Sequence, residues 1–121
     1  MSPTLNVGRV FEFSSSHWLP EHPHCGLSHG HNYRMEVEVS GPVNKGMIID
    51  FALLKVIVEN RLEGIDHRCL NNTLDYPSVE NLITLLWNRI QEGLDSSSRG
   101  IKLVRLKIWE TSNCYAELVG E

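Results

Sequence analysis

The chain has 121 residues, 41% of them apolar, with 11 basic against 15 acidic side chains and a formal net charge of −4. That length suits one domain over residues 1–121 with one core. Charges of both signs are scattered, which excludes the basic footprint of a nucleic-acid binder, and no apolar run approaches membrane-spanning length. The segment Met1 to Val7 lacks a basic region followed by an apolar block, so no secretory signal is expected. Cys25, Cys69 and Cys114 are odd in number and widely spaced. They make a poor disulfide framework and point to reduced thiols in a cytoplasmic setting.

Residues 5–17 read as a first strand, with Val7, Phe11, Phe13 and His17 on one parity. Pro20 and Pro23 break regular structure after it, leaving a loop from Trp18 to Ser28. A second strand is expected from about His31 to Gly41, with Tyr33, Met35, Val37 and Val39 alternating against Asn32, Arg34, Glu36 and Glu38. Gly41-Pro42 marks a turn. Asp50 is placed to cap a helix starting at Phe51, whose apolar stripe is Phe51, Leu54, Val58 and Leu62, with Gly64 as its stop. Residues 66–72 follow as a polar loop. Ser78 can cap a second helix, with Glu80 in its first turn and a stripe of Val79, Leu82, Ile83, Leu86, Trp87 and Ile90. Asp95 to Gly100 reads as a loop, residues 101–110 as a third strand and Tyr115 to Val119 as a fourth. The expected fold is α+β: a four-stranded, largely antiparallel sheet with two helices on one face. The open edges and bare face of such a sheet predict an oligomer.

The densest chemistry lies in Cys25-Gly-Leu-Ser-His29-Gly-His31-Asn32-Tyr33. In extended chain His29 and His31 point to the same side, and Gly30 leaves room to approach both rings. With His17 they can supply three nitrogen ligands from the ends of two neighbouring strands. Three protein ligands leave a fourth position open, the catalytic pattern for zinc; with Cys25 as a fourth ligand the site is structural. Spacing leaves both readings open. His22 and His24, flanked by prolines, read as loop histidines. A thiol near a cation has a lowered pKa, so Cys25 can also be a base or nucleophile; Cys69 and Cys114 are read as small buried apolar residues. Asp66-His67 sets a carboxylate beside an imidazole, fit for acid/base work or simply a polar loop. By phase Val104, Leu106, Ile108 and Glu110 share a face, so Glu110 ends an apolar row. It is a recessed acceptor for paired N–H donors or a solvated strand end.

Cys25-x-x-x-His29-Gly-His31-Asn-Tyr, Gly46-Met-Ile-Ile-Asp50-Phe, Ile65-Asp-His67-x-x-Leu-Asn71, Pro77-Ser-x-Glu-Asn81 and Trp109-Glu-Thr111 occur in that order. Through these five motifs, from Phe11 to Glu110, the chain resembles the 6-pyruvoyl-tetrahydropterin synthase / 6-carboxy-tetrahydropterin synthase family. The resemblance implies a tunnelling fold (T-fold) in which trimers close a barrel and two trimers stack into a homohexamer, with active sites between subunits. It implies zinc on His17, His29 and His31, Cys25 as catalytic cysteine, and Asp66 and His67 as an acid/base pair from a neighbouring subunit. Glu110 matches the residue that anchors the pterin ring, and Ser78 stands at a substrate-side position where threonine is common. The three-residue gap from Cys25 to His29 resembles the carboxy-type enzymes of the 7-deazaguanine (queuosine) route. These convert 7,8-dihydroneopterin triphosphate to 6-carboxytetrahydropterin, acetaldehyde and triphosphate. The pyruvoyl-type lyase and a zinc- and pterin-binding oligomer without turnover are the alternatives. Cys25, Asp66 and His67 together favour an enzyme.

Overall fold

Strands β1 (Val7–His17) and β2 (His29–Ser40) form one long antiparallel ladder that pairs His17 with His29 at its tip. The structure, a computed structural model, describes residues 3–23, 26–97 and 100–120. β2 begins two residues earlier than its alternation predicts, because His29 and Gly30 pair with His17 and Ser16. β3 (Arg68–Cys69) lies beside the end of β1, β4 (Lys102–Thr111) beside β2, and β5 (Cys114–Val119) beside β4. The order across the sheet is β3-β1-β2-β4-β5.

The expected sheet of four antiparallel strands is therefore corrected to five strands and mixed pairing. β3 runs parallel to β1, with Ser15 opposite Arg68 and Ser16 opposite Cys69. Two residues carry no readable alternation, so the sequence shows only a polar loop there. A bulge between Glu38 and Val39 pairs Val39 with Leu103 and Glu38 with Arg105. The extra residue, Val104, moves off the core face, and Leu103 is buried in its place. The row of Leu106, Ile108 and Glu110 survives; its extension to Val104 does not.

Helices α1 (Phe51–Asn60) and α2 (Val79–Ser97) cover one face. α1 packs on β1, and α2 on β4 and β5. Asp50 caps α1 by accepting the Ala52 N–H at 2.7 Å. α1 buries Leu54, Ile57 and Val58, while Phe51 is half exposed. It ends at Arg61 rather than at Gly64, whose φ of 79° instead serves a later turn. α2 runs through Asp95 to Ser97, into the expected loop, because Leu94 is fully buried and holds the last turns down. Gly93 faces α1; an added Cβ would lie 2.8 Å from Arg61 Nε and 3.0 Å from Ile57 Cγ2. The core is built from Phe13, Tyr33, Met35 and Ile108 of the sheet against Leu54, Leu82, Leu86 and Ile90 of the helices.

The other face is ionic. Arg105 reaches Glu38 at 2.8 Å, Glu36 at 3.1 Å and Glu117 at 3.3 Å. Partial burial pushes the Glu36 carboxyl up, but hydrogen bonds from Arg105 and Arg34 outweigh it and hold the group below its usual range. Such a depressed group adds stability above its unfolded pKa, and the gain is lost as pH falls through its folded pKa. Among the described residues no helix is long and apolar enough to cross a membrane.

Candidate active site and metal centre

Strand parity puts Ser15, His17, His29 and His31 on the face beneath the helices, at the end of the β1–β2 ladder. The His17 Nδ1–H donates to the Pro77 carbonyl at 2.8 Å, and the His29 Nδ1–H to the Leu27 carbonyl at 2.8 Å. A carbonyl only accepts, so each Nδ1 carries the hydrogen and each neutral ring presents an Nε2 lone pair. Those two Nε2 atoms lie 3.2 Å apart. His31 Nε2 is buried without a hydrogen-bond partner, 3.6 Å from Glu110 Oε1. The three ligand atoms all fall within 4.8 Å of one another.

This donor set fits a divalent metal. Two lone pairs facing at 3.2 Å repel, and a third buried nitrogen is orphaned; one cation satisfies all three. The 3.2 Å separation is close to the edge, about 3.3 Å, of a tetrahedral site with bonds of about 2.0–2.1 Å. Burial, helped by repulsion from His17 and His29 and opposed by Glu110, lowers the His31 pKa, favouring the neutral form that a metal requires. The carbonyls at Pro77 and Leu27 orient the rings from outside. Pro77 is itself held in place: Ser78 Oγ accepts the Asn81 N–H at 3.2 Å, and Asn81 Nδ2 donates to the Tyr76 carbonyl at 2.8 Å. Ser78 thus caps α2 as expected, next to the residue that orients His17.

Asp66 and His67 form a second unit. Asp66 Oδ1 lies 2.8 Å from His67 Nδ1 and accepts the Ser14 N–H at 3.0 Å. The His67 N–H donates to the Ser14 carbonyl at 2.6 Å. The dipeptide is thereby tied to the edge of β1, just before β3. His67 has a φ of 60°, in the left-handed region, at a cost on the order of 1 kcal/mol. Its side chain is 80% exposed, with Nε2 left available. His67 and His31 line one open cavity of about 440 Å³.

Glu110 lies next to His31 and one step past the Arg34–Trp109 pair, opposite Tyr33. Tyr33 is a residue whose place at the site the alternation pattern hid, since an aromatic among core positions reads as packing. Its ring stacks on Phe13 with centroids 5.0 Å apart and meets the His31 ring edge-on at 5.8 Å. Its hydroxyl is buried without a partner, and burial, then Glu110, pushes its pKa far above the usual range. Tyr33→Phe removes an orphaned group, so chemical denaturation should show stability unchanged or raised by about 1 kcal/mol. A clear loss would show that the hydroxyl is bonded in the assembled protein.

The catalytic candidate Cys25, and His24, lie outside the described residues. His22 follows β1 in a turn, its N–H bonded to the Leu19 carbonyl at 3.0 Å, and is not among the clustered ligands. Cys69 is half-buried and Cys114 exposed, contrary to their reading as buried apolar residues. Both belong to short edge strands that the core does not enclose. Asn71, which closes the Ile65–Asn71 motif but has no role assigned from sequence, accepts the Trp18 N–H and donates to the Trp18 carbonyl, each at 3.0 Å. It pins the chain just beyond His17.

These features define a T-fold protein with a three-histidine metal-ligand set at the sheet end. Residues 6–121 match the family described as 6-pyruvoyl tetrahydropterin synthase. The chain belongs to that family, whose enzymes are lyases. It is 34% identical over 119 residues, 98% of each chain, to an Archaeoglobus fulgidus protein provisionally named 6-carboxy-5,6,7,8-tetrahydropterin synthase. It is 38% identical over 90 residues, 74% of this chain and 76% of the relative, to a dihydroneopterin monophosphate aldolase of Pyrococcus furiosus. The structure of Caenorhabditis elegans 6-pyruvoyl tetrahydropterin synthase superposes with a TM-score of 0.84 at 25% identity, over 98% of this chain and 97% of that one.

Proposed function

We propose that this chain is a zinc-dependent 6-carboxy-5,6,7,8-tetrahydropterin synthase of the 7-deazaguanine (queuosine) route, acting on 7,8-dihydroneopterin triphosphate. The observation that carries this reading is the set of three inward nitrogen donors beside Glu110 and an oriented Asp66–His67 pair. Zinc held by His17, His29 and His31 would polarise the hydroxyls of the substrate side chain. Asp66 holds the Nδ1–H of His67, so that Nε2 is the atom that takes and returns a proton. Cys25 serves as the second proton carrier. Glu110 accepts the paired N–H groups of a pterin ring, with Ser78 on the same side. The exposure of His67 suits it to a neighbouring subunit's site, in a homohexamer built as a dimer of trimers. Such an enzyme works in the cytoplasm, in keeping with its unpaired Cys69 and Cys114.

A second reading rests on the Pyrococcus furiosus relative: aldol cleavage of dihydroneopterin monophosphate. A third, the pyruvoyl-type reaction, is the one named for the Caenorhabditis elegans structure. Products separate all three. The carboxy-type reaction should give acetaldehyde and 6-carboxytetrahydropterin in equal amounts from the triphosphate. Pyruvoyl chemistry keeps all three side-chain carbons and releases no aldehyde. Aldol cleavage of the monophosphate gives 6-hydroxymethyldihydropterin and a phosphorylated two-carbon aldehyde. Incubation with each substrate, with pterins and aldehydes followed together, tests the assignment; triphosphate turnover without acetaldehyde overturns it.

A further inference from the structure

His17 is the last residue of β1, and strand ends fray unless the peptide units around them are held. On one edge His17 is paired with His29 of β2. On the other edge the end of β1 is closed by residues 65–71. In a strand the N–H and C=O of alternate residues face the same edge, which sets Ser14, Ser16 and Trp18 toward that segment. Ser14 gives its N–H to Asp66 Oδ1 at 3.0 Å and accepts the His67 N–H at 2.6 Å. Ser15 and Ser16 pair with Arg68 and Cys69 of β3, and the buried Ser15 hydroxyl donates to the Ile65 carbonyl at 2.6 Å. After Cys69 the backbone turns into a short 3₁₀-helix, Leu70–Asn72, so β3 ends one step short of Trp18. The Asn71 side chain takes that step. Its amide carries the same donor and acceptor as a peptide unit and meets both the N–H and the C=O of Trp18. The base is firm: Leu70 is fully buried, and its carbonyl accepts the N–H groups of Thr73 and Leu74 at 3.0 and 2.8 Å. The Cys69 thiol also donates to Asn71 Oδ1, at 3.8 Å.

We propose that Asn71 is a positioning residue for the metal centre: it extends β3 by one step with a side chain, fixes the peptide unit after His17 and so aims His17 Nε2 at the other two donors. The inference rests on the reading of His17, His29 and His31 as metal ligands. The direction of a side chain is set by the peptide units on both sides of its Cα. The unit before His17 is held through Ser16, within the paired part of the strand. The unit after it belongs to Trp18, whose own side chain is exposed and anchors it little. Asn71 supplies the missing anchor. The Pro77 carbonyl then holds the ring at Nδ1, 2.8 Å away, so the imidazole is fixed at its root and at its edge. Metal ligation is sensitive to such fixing, because ligand distances are tolerated only within about 0.2 Å. Nε2 lies at the far side of the ring from the backbone, so a small rotation at the root is magnified there.

The test is the zinc affinity of the metal-free protein, measured by competition with a chromogenic chelator and independent of turnover. Asn71→Ala should weaken binding about tenfold, the low end of the range for groups that orient metal ligands. Asn71→Leu keeps the volume of the side chain while removing both bonds to Trp18, and should weaken binding to a similar degree. Ile90→Val is the control for stability alone. Ile90 is fully buried about three turns along α2 from Ser78, and its trimming should lower the melting temperature by a few degrees with zinc affinity unchanged. Weaker zinc binding in the Asn71 variants and not in Ile90→Val supports the proposal. Wild-type affinity in either folded Asn71 variant overturns it and leaves the metal reading intact. Equal weakening in Ile90→Val assigns the effect to lost stability and overturns it as well. A wild-type protein that binds no zinc overturns the metal reading, and the proposal with it.

Discussion

His29→Ala should give a folded protein that holds no metal and has lost activity by at least about a hundredfold to a thousandfold, the scale set by removing one preorganised stabiliser of developing charge. The variant is chosen for its position. The His29 ring is less buried than that of His17, and its Nδ1 is anchored by the Leu27 carbonyl two residues away. His17 is 1% exposed and is tied to Pro77 across the sheet–helix interface, so His17→Ala should add a stability defect to the loss of metal. Metal content by elemental analysis, circular dichroism and turnover together check the outcome. The wild type should hold about one zinc per chain. Cys25→Ala should keep that metal while losing turnover; loss of zinc from Cys25→Ala would favour a four-ligand structural site and remove the catalytic role of the thiol.

The second large effect concerns Asp66 and His67. His67→Ala should cost about a hundredfold to ten-thousandfold in turnover, the range of general acid–base catalysis, with metal still bound. Asp66→Asn should cost less, because the imidazole remains but loses its carboxylate partner at 2.8 Å. It also loses charge at the bond to the Ser14 N–H, so a small drop in stability is expected. The geometry within one chain lets His67 and His31 share a cavity, while the exposure of His67 leaves it open to a neighbour. Co-assembly separates the two arrangements. His29→Ala and His67→Ala chains, each inactive alone, should regain part of the activity when mixed, since some sites then draw a triad from one chain and His67 from the other. No recovery, with mixed oligomers verified by mass, would assign His67 to the triad of its own chain.

Much of the site was legible because it lies on regular strand. Period-two alternation carries His29 and His31 onto the parity of Tyr33, Met35 and Val37, and β1 carries His17 onto the parity of Phe11 and Phe13. Once those two strands pair, the three rings must meet. The Asp50 and Ser78 caps were legible for a similar reason, as each acts within three residues of its own position. Glu110 was legible because Leu106 and Ile108 set its phase.

What the sequence alone determined is thus the local chemistry and its side of the sheet: three imidazoles on the apolar parity, a carboxylate at the end of an apolar row, and a carboxylate–imidazole pair in a polar loop. The tertiary structure decided what depends on partners distant in sequence. The Val104 bulge is an extra residue against β2, visible only in the pairing. β3 is a strand only because Ser15 and Ser16 lie beside it. The Pro77 carbonyl reaches the His17 ring across 60 residues. No local pattern encodes these, because a hydrogen bond or ion pair between distant segments depends on how the whole chain packs, whereas parity and capping depend on neighbours a few residues away.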